Sequence, residues 1–311
     1  MADLGEYGGT PVIHIPVLLK EVIEAIKVVP GGQYIDCTLG GGGHSAAILE
    51  QGGQVLGIDI DPQAIELARE RLHHYGKNAI LINESYENLE EICDRTGFHS
   101  TRGVLFDLGM SSLQLDDTKR GFSFQHEAPL NMCYNPSQEI TAATIVNTFP
   151  QKEIADIIKR YGEDRRGNEI ARSIVAKRPL NTTLELAATV ARAVGTRGRI
   201  HPATKTFQAL RIAVNRELER LKIALKQALN ILEVGGRIVV ISYHSLEDRL
   251  VKDFFRVESQ SCLCPPRTPV CICSHHATLK LITKRVVTPT HTEVLANPRS
   301  RSAKMRAAER I

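Results

Sequence analysis

Short apolar runs alternate with amphipathic stretches along the first third of the chain. The apolar runs are four or five residues long and end at polar residues, as buried parallel strands do. The stretches between them carry apolar residues at helical spacing. The predicted strands are Gln33–Asp36, Val55–Asp59, Ala79–Asn83 and Gly103–Asp107, and the predicted helices are His44–Glu50, Gln63–His74 and Glu87–Thr96. This alternating order predicts an α/β fold with a parallel sheet.

The pattern becomes mainly helical from Ile140 to about Arg216, with breaks at Pro150, Gly162, Pro179 and Gly195. A long helix is predicted over Thr204–Leu232, and the strand Gly236–Ser242 then resumes the sheet. We therefore predict a helical insertion at residues 115–217, within a domain made of residues 1–114 and 218–311. The segment 111–137 is rich in turn residues, and loops of this length are usually functional.

Positive charge is concentrated in two segments, although the 311-residue chain carries a net charge of only +4. Residues 165–222 hold 13 Lys or Arg against 4 Asp or Glu, and residues 280–311 hold 8 against 2. Such clustering predicts a polyanionic partner, with solvated helix faces as the alternative.

The sequence predicts a cytoplasmic protein. The apolar stretch Val12–Leu19 is interrupted by His14 and Pro16, so no targeting segment is expected. No apolar run is long enough to span a membrane. Three of the seven cysteines, Cys37, Cys93 and Cys133, are scattered as in proteins of reducing compartments.

Polar residues gather at the carboxyl ends of the predicted strands, where α/β sheets bind ligands. These residues are Asp36, Asp59, Tyr86 and Asp107. The four glycines 40–43 let backbone approach a ligand, and the next helix offers its N-terminal amides. Asp59 is placed to accept hydrogen bonds from ribose hydroxyls. Together these features predict a nucleoside-cofactor site.

The glycine pattern argues against a nicotinamide cofactor. The third glycine of a dinucleotide-binding loop is replaced here by Ser45. Asp36 would repel a pyrophosphate but could pair with an ammonium group. S-adenosylmethionine, which carries an ammonium and a sulfonium, fits this acidic rim better.

Several long motifs extend over nearly the whole chain. They are His14-Ile-Pro-Val-Leu-Leu-Lys-Glu, Asp36-x-Thr-x-Gly-x-Gly-Gly-His44, Asp59-x-Asp-Pro-Gln-Ala64, Asp107-Leu-Gly-Met-Ser-Ser-x-Gln-Leu-Asp-Asp117, Arg120-Gly-Phe-Ser-Phe124, the run His201–Glu219, Ser242-Tyr-His-Ser-Leu-Glu-Asp-Arg249 and Asn297-Pro-Arg-Ser-Arg-Ser-Ala-Lys304. Together these motifs resemble the MraW/RsmH family of bacterial 16S ribosomal RNA cytosine-N4 methyltransferases.

The resemblance implies a Rossmann-like S-adenosylmethionine-dependent methyltransferase fold with an inserted helical, substrate-recognition domain. It implies methylation of a cytosine amine in the decoding region of 16S ribosomal RNA, within the small subunit. A homodimer is compatible with it, and the sequence itself leaves the oligomeric state open. The implied cofactor contacts are Gly42, Gly43, His44, Asp59, Tyr86, Asp107 and Gln114.

The chain departs from the family pattern at three positions. Asn131 and Cys133 stand where the family commonly has Asp and Arg, and Leu113 stands where it has Pro. If the first pair replaces an internal salt bridge, losing both members is nearly neutral. If the acid touches substrate, activity or substrate choice is affected.

Methyl transfer to a cytosine amine needs alignment and an acceptor for the amine proton. Asp107 is the first candidate acceptor and His244 the second, with a hydrogen bond within a strand-end turn as the other interpretation of His244. Phe122 or Phe124 could stack on the base, or could simply pack in the core.

Lys205, Arg211 and Arg216 are the predicted RNA-binding residues. On a continuous helix Lys205 and Arg216 lie about three turns apart and share a side, while Arg211 points elsewhere. We expect this helix to contact phosphate.

Cys262, Cys264, Cys271 and Cys273 form two Cys-x-Cys pairs. Four thiolates this close could hold a structural zinc ion, or they could be reduced or redox-labile cysteines. No metal is expected in the catalytic site. Rival functions are a DNA or protein amine methyltransferase and a non-catalytic RNA-binding or ribosome-assembly factor.

Overall fold

A computed structural model of the protein describes residues 16–110, 114, 117–196, 201–265 and 270–311. The stretch Val12–Leu19, the motif that starts at His14 and the departure at Leu113 therefore lie wholly or partly outside the described residues. Among the described residues, none of the helices combines the length and apolarity needed to cross a bilayer.

The core of the described chain is a seven-stranded, mostly parallel sheet. Its order is β3-β2-β1-β4-β5-β7-β6, and β7 runs antiparallel to both β5 and β6. The strands are β1 (Gln33–Asp36), β2 (Gln54–Asp59), β3 (Ala79–Asn83), β4 (Thr101–Asp107), β5 (Leu232–Ser242), β6 (Leu279–Leu281) and β7 (Lys304–Arg310). The predicted Rossmann-like α/β fold is confirmed.

Helices cover both faces of this sheet. In chain order the α-helices of the described chain are α1 (Leu19–Ile26), α2 (Gly43–Glu50), α3 (Pro62–Leu72), α4 (Leu89–Thr96), α5 (Ala142–Thr148), α6 (Gln151–Gly162), α7 (Gly167–Ala176), α8 (Thr183–Val194), α9 (Ala203–Asn215), α10 (Glu217–Ile231), α11 (Ser245–Glu258) and α12 (His291–Ala296). Asp61 caps α3 by accepting a hydrogen bond from the Gln63 amide, as Asp before Pro predicts.

The predicted helix Thr204–Leu232 is wrong. The helix is interrupted at Arg216, whose φ of 50° lies in the left-handed region, so α9 and α10 are separate helices. Arg216 is not a helix breaker, so the break has no local signal. Smaller boundary errors are that α3 ends at Leu72 rather than at His74 and that a short 3₁₀ turn precedes α4.

The other predicted breaks are confirmed. Pro150 is the N-cap of α6, Gly162 ends α6, and Gly195 follows α8. Pro179 lies between α7 and α8. From residue 117 to Thr141 the chain forms no helix or strand, which matches the predicted loop over residues 117–137.

Side chains from successive strand positions point to opposite faces of the sheet, so each face has its own apolar core. One core packs α4, α10 and α11 on the sheet, and the other packs α1, α2 and α3. A further core joins α5–α9 with the loop that precedes them, from Phe122 to Val214, and contains no strand residue. The boundaries 115 and 217 of the inserted domain stay a prediction.

Candidate active site

A cavity of about 990 Å³ opens at the carboxyl ends of β1, β2 and β4. This volume is at the upper end of the range usual for small-molecule sites. Its wall includes the glycine loop, the strand-end residues Asp59 and Asp107, Tyr86 of the next turn, and residues of α9 and α10. The parallel topology predicts this location, since ligands bind where the strands end.

The glycine loop folds back on the end of β2. The Gly40 amide donates to Asp59 Oδ2 at 2.8 Å, and Gly43 opens α2 beside the cavity. Gly42 has a φ of 73° and is buried against Leu72 of α3. It therefore supports the turn and does not line the cavity. Its predicted cofactor contact thus gains no support from this placement.

Asp59 lies in the cavity wall with one hydrogen bond to each carboxylate oxygen. Besides Gly40, the Asp61 amide donates to Oδ1 at 2.9 Å. Burial raises the pKa of Asp59 to about 6, although both amide hydrogen bonds act to lower it. Among the described residues each oxygen accepts only this one hydrogen bond, so the carboxylate can accept further hydrogen bonds from two vicinal hydroxyls.

The expected acidic rim at Asp36 is wrong. Asp36 is 1% exposed, beneath the loop, and accepts hydrogen bonds from Ser45 Oγ at 2.8 Å and from the Thr38 amide at 3.2 Å. Burial raises its pKa, and the nearby His44 acts to lower it. Asp36 therefore ties the glycine loop to α2, and it is not among the residues that line the cavity.

Asp107 ends β4 and is held from three sides. Its amide donates to Thr38 Oγ1 at 2.6 Å, and its Oδ1 accepts a hydrogen bond from the Tyr243 hydroxyl at 2.9 Å. Its Oδ2 lies 3.5 Å from Nε2 of His44. His44 is 6% exposed, and neither ring nitrogen has a hydrogen-bond partner among the described residues. A buried imidazole beside a cavity, with no hydrogen-bond partner among the described residues, can form a hydrogen bond with a polar group of a ligand.

Tyr86 lines the same cavity as the glycine loop. Its ring meets the Phe106 ring edge-on at 5.8 Å between centroids. Burial raises the pKa of its hydroxyl, so the side chain stays neutral. A fixed aromatic face in the cavity wall can pack against a planar base.

Gln114 lines the cavity and belongs to a buried polar group at the end of β2. Its Nε2 donates to Asp61 Oδ2 at 3.1 Å, and Arg120 forms a salt bridge with the same oxygen. Arg120 also donates to the carbonyl groups of Cys133 and Tyr134. This group therefore links the end of β2 to the loop before α5.

A charged cluster forms the wall at the break between α9 and α10. Arg211 binds Glu217 through two hydrogen bonds of 2.9 and 3.1 Å. His244 lies 3.9 Å from Glu217 and 3.1 Å from Glu247. Burial alone would lower the pKa of His244, but these two carboxylates raise it to about 9. The pKa of Glu217 is lowered, because Arg211 and His244 outweigh its burial.

The predicted RNA-binding residues lie in different environments. Lys205 is exposed on α9, where its ammonium group donates to the Glu163 carbonyl at 3.2 Å. The exposed Arg216 is at the helix break, 3.9 Å from Glu87. Because α9 ends at Asn215, the expectation that Lys205 and Arg216 share one helix side is wrong. Arg211 is only 14% exposed and is paired with Glu217 in the cavity wall.

Phe122 and Phe124 are core residues in this structure. Phe122 stacks on Tyr134, and Phe124 packs against Phe207 and His201. Neither ring lines the cavity, so the suggestion that one of them stacks on the substrate base is wrong for this arrangement.

The departures Asn131 and Cys133 also lie away from the cavity. The Cys133 amide donates to Asn131 Oδ1 at 2.8 Å, and Cys133 is buried in the core of α5–α9. The two positions therefore neighbour each other in one turn. This geometry favours the interpretation that they replace an internal pair.

Sequence reasoning missed Tyr243 and the Arg211–Glu217 pair. Tyr243 follows β5 directly, so its position at a strand end is the signal that could have identified it. The pair bridges a helix break that no residue type in the sequence indicates.

The chain matches the model of the MraW methylase family over residues 11–311. It is 57% identical to the ribosomal RNA small subunit methyltransferase H of Dehalococcoides mccartyi, covering 96% of this chain and 86% of that protein. The corresponding protein of Thermomicrobium roseum is 52% identical, with coverages of 96% and 94%. A solved rRNA methylase of Streptococcus thermophilus is more distant, at 13% identity and a TM-score of 0.43 over 96% of this chain and 99% of that one.

This chain belongs to the MraW methylase family, as its motifs predicted. It is a methyltransferase that depends on S-adenosylmethionine, and the cavity residues fit that cofactor. The fit rests on the free lone pairs of Asp59, the orphaned ring of His44 and the half-buried aromatic face of Tyr86.

Proposed function

We propose that this protein transfers a methyl group from S-adenosylmethionine to the exocyclic N4 of a cytosine in the decoding region of 16S ribosomal RNA. The names of the relatives from Dehalococcoides mccartyi and Thermomicrobium roseum support small-subunit ribosomal RNA as the substrate. The cytosine amine and the decoding region follow from the resemblance of the long motifs to the MraW/RsmH family. The observation that carries the chemistry is the position of Asp107 in the cavity wall.

In the proposed complex Asp59 accepts hydrogen bonds from the ribose hydroxyls and Tyr86 lies beside the adenine. His44 and the backbone of Gly43 lie at the N-terminus of α2, where backbone amide groups attract a carboxylate. Gly42 supports this turn, and Gln114 holds Asp61 behind it. The bound cofactor supplies an electrophilic methyl group on a sulfonium.

Asp107 is proposed as the acceptor for the amine hydrogens. The lone pair of the cytosine amine is delocalised into the ring, so the nitrogen is a weak nucleophile. An acceptor helps it to pyramidalise, and as the nitrogen–carbon bond forms and the carbon–sulfur bond breaks, one N–H proton passes to the carboxylate. The hydrogen bond from Tyr243 leaves Oδ2 of Asp107 as the oxygen for this task.

His244 is a weaker candidate for this proton transfer. Its ring lies between Glu217 and Glu247, and its Nδ1 accepts a hydrogen bond from the Glu247 amide at 3.3 Å, which makes His244 the N-cap of α11. His244 is not among the residues that line the cavity. We therefore assign it to the turn that follows β5.

Residues 115–217 are proposed as the substrate-recognition domain, with the loop 111–137 helping to splay the target base out of folded RNA. The separate apolar core of α5–α9 and the exposed Lys205 support this assignment. We propose that Lys205 and Arg216 contact phosphate. Arg211 neutralises Glu217 and is not proposed as a phosphate contact.

The test is transfer of labelled methyl to small subunits that lack native methylation, with free 16S ribosomal RNA alongside and the modified base mapped by mass spectrometry. Label on a single cytosine amine is expected. Label at a ring carbon, on another base or on protein would contradict the proposal. Absence of label with cofactor bound would favour the assembly-factor alternative.

Asp107→Asn is the variant that tests the mechanism, and Asp253→Asn on the exposed face of α11 is its matched control. We expect Asp107→Asn to reduce turnover at saturating cofactor by about 10²–10⁴-fold, the range for proton-transfer groups. Unchanged turnover with weakened cofactor binding would contradict the acceptor role.

A further inference from the structure

Four cysteines converge in the segment between α11 and β6, outside the candidate active site. Their sulfur atoms all lie within 4.8 Å of one another. The Sγ–Sγ distances are 3.5 Å for Cys262–Cys271 and Cys271–Cys273, 3.7 Å for Cys262–Cys273 and 3.9 Å for Cys264–Cys271. Both Cys-x-Cys pairs thus face one common point.

These distances match one tetrahedral metal ion. A disulfide needs about 2.05 Å between sulfurs, far less than any of the four distances. Zinc–sulfur bonds of about 2.3 Å place the corners of a tetrahedron about 3.8 Å apart. A polynuclear iron–sulfur cluster would hold its ligands farther apart, because they surround several metal atoms.

Backbone amides point at these sulfurs. The Leu263 amide donates to Cys273 Sγ at 3.3 Å, the Cys264 amide to Cys262 Sγ at 3.4 Å and the Ile272 amide to Cys264 Sγ at 3.4 Å. Such hydrogen bonds stabilise the thiolate form, which is the form that binds metal.

The described residues of this segment form no apolar core that could hold it together. Leu263, Val270 and Ile272 are 43%, 73% and 81% exposed. Burial of these side chains therefore contributes little to the fold of the segment, and a cross-link has to replace it. Four thiolates around one ion are such a cross-link.

We propose that Cys262, Cys264, Cys271 and Cys273 bind one Zn²⁺ ion in a closed, structural site. All four positions of the tetrahedron are filled by protein, so no position is open for substrate or water. Zinc is the divalent ion that combines soft thiolate ligands with tetrahedral geometry and no redox chemistry.

The site would fix the segment against the end of α11. Near that end, His275 Nε2 lies 3.0 Å from the Val257 carbonyl, and the Thr278 amide donates to the Glu258 carbonyl at 2.8 Å. The opposite end of α11 carries Glu247 in the cavity wall. The ion thus stabilises the segment that leads from this helix into the edge strand β6.

The experiment uses the full chain, purified under reducing conditions, with zinc measured by mass spectrometry against protein concentration. We expect one zinc per chain, near-complete loss of zinc in Cys264→Ser/Cys271→Ser, and full retention in the matched variant His276→Gln. Replacement by Co²⁺ should give the visible absorption of a tetrahedral thiolate complex. Loss of zinc in His276→Gln would contradict the four-thiolate set.

A second measurement covers the case in which the cysteine variant does not fold. Chelator treatment of the wild-type protein should make residues 259–278 sensitive to protease, and added Zn²⁺ should restore resistance. Protein without zinc, whether its four cysteines form two disulfides, bind iron or stay as free thiols, would overturn the proposal. So would zinc that stays bound in the double variant.

Discussion

The hydroxyl group of Tyr243 donates a hydrogen bond to Oδ1 of Asp107 at 2.9 Å. Asp107 ends β4, and Tyr243 directly follows β5. These strands are parallel neighbours, and Asp107 pairs in register with Ile241 of β5. The sheet therefore fixes the distance between them before any ligand binds. Burial, and then the charge of Asp107, raise the pKa of the Tyr243 hydroxyl, so it remains a donor.

We expect Tyr243→Phe to lower the methyl-transfer rate without weakening cofactor binding. The change removes one hydrogen bond to a charged group, worth about 1.5–3 kcal/mol, and frees the carboxylate to rotate. If the whole effect falls on the transition state, kcat drops by about 10–100-fold. Single-turnover rates at saturating cofactor and RNA measure this directly.

Calorimetric titration with S-adenosylhomocysteine supplies the control for that variant. An unchanged Kd shows that the loss belongs to the chemical step. A large loss of affinity with a normal rate at saturation would instead place Tyr243 in cofactor binding.

Cofactor affinity should depend on pH through Asp59, whose pKa is raised to about 6. Ribose hydroxyls donate to the carboxylate, so binding favours its ionised form. Affinity is therefore full above pH 6 and falls as the pH drops, by up to tenfold per pH unit until the pKa of the complex is reached. Titration with S-adenosylhomocysteine between pH 5 and pH 8 measures the effect.

Asp59→Asn is the matched variant for this titration. It should bind the cofactor more weakly at pH 7.5 and should lose the dependence near pH 6. If the variant keeps the wild-type slope, another group controls the titration and the assigned role of Asp59 is wrong.

The sheet and its strand-end residues could be predicted because the signal is local. Each strand has a short apolar run, and the order of runs and helices determines where the runs end. Asp59 and Asp107 follow from that alone. The break at Arg216 could not be predicted from the local sequence. It is accompanied by the pairing of Glu217 with Arg211 and by the approach of Glu217 to His244, which lies in a later segment of the chain.

The site was harder to predict wherever a residue's direction depended on packing. Asp36 and Asp59 both end strands, yet Asp36 turns under the loop to Ser45 while Asp59 faces the cavity. Phe122 and Phe124 lie in a motif, but their rings fill the core of α5–α9. Sequence position gives the neighbourhood of a side chain, and the facing elements decide its orientation.

Asn131→Asp should leave cofactor affinity and methyl transfer close to wild type. The side-chain oxygen of Asn131 accepts a hydrogen bond from the Cys133 amide, and an aspartate can accept the same bond. Neither residue lines the cavity. Methyl-transfer kinetics of the two proteins on small subunits make the comparison. A several-fold change in kcat would mean that this turn touches the RNA.

Protein stability should fall as the pH rises from 6.5 to 9, because of His244. Glu217 and Glu247 raise its pKa from 6.5 to about 9 in the folded protein. The imidazolium thus contributes stability that is complete below pH 6.5 and is lost as the pH rises through 9. A shift of this size corresponds to the order of 3 kcal/mol. Chemical denaturation at pH 6, 7.5 and 9 measures the free energy of unfolding, with His276→Gln as the exposed-histidine control.

His244→Gln should be less stable at pH 6 and should lose most of the dependence on pH, since it leaves two buried carboxylates without their imidazolium partner. Equal slopes in the wild type and in His244→Gln would contradict the raised pKa and would show that the ring is neutral in the folded protein.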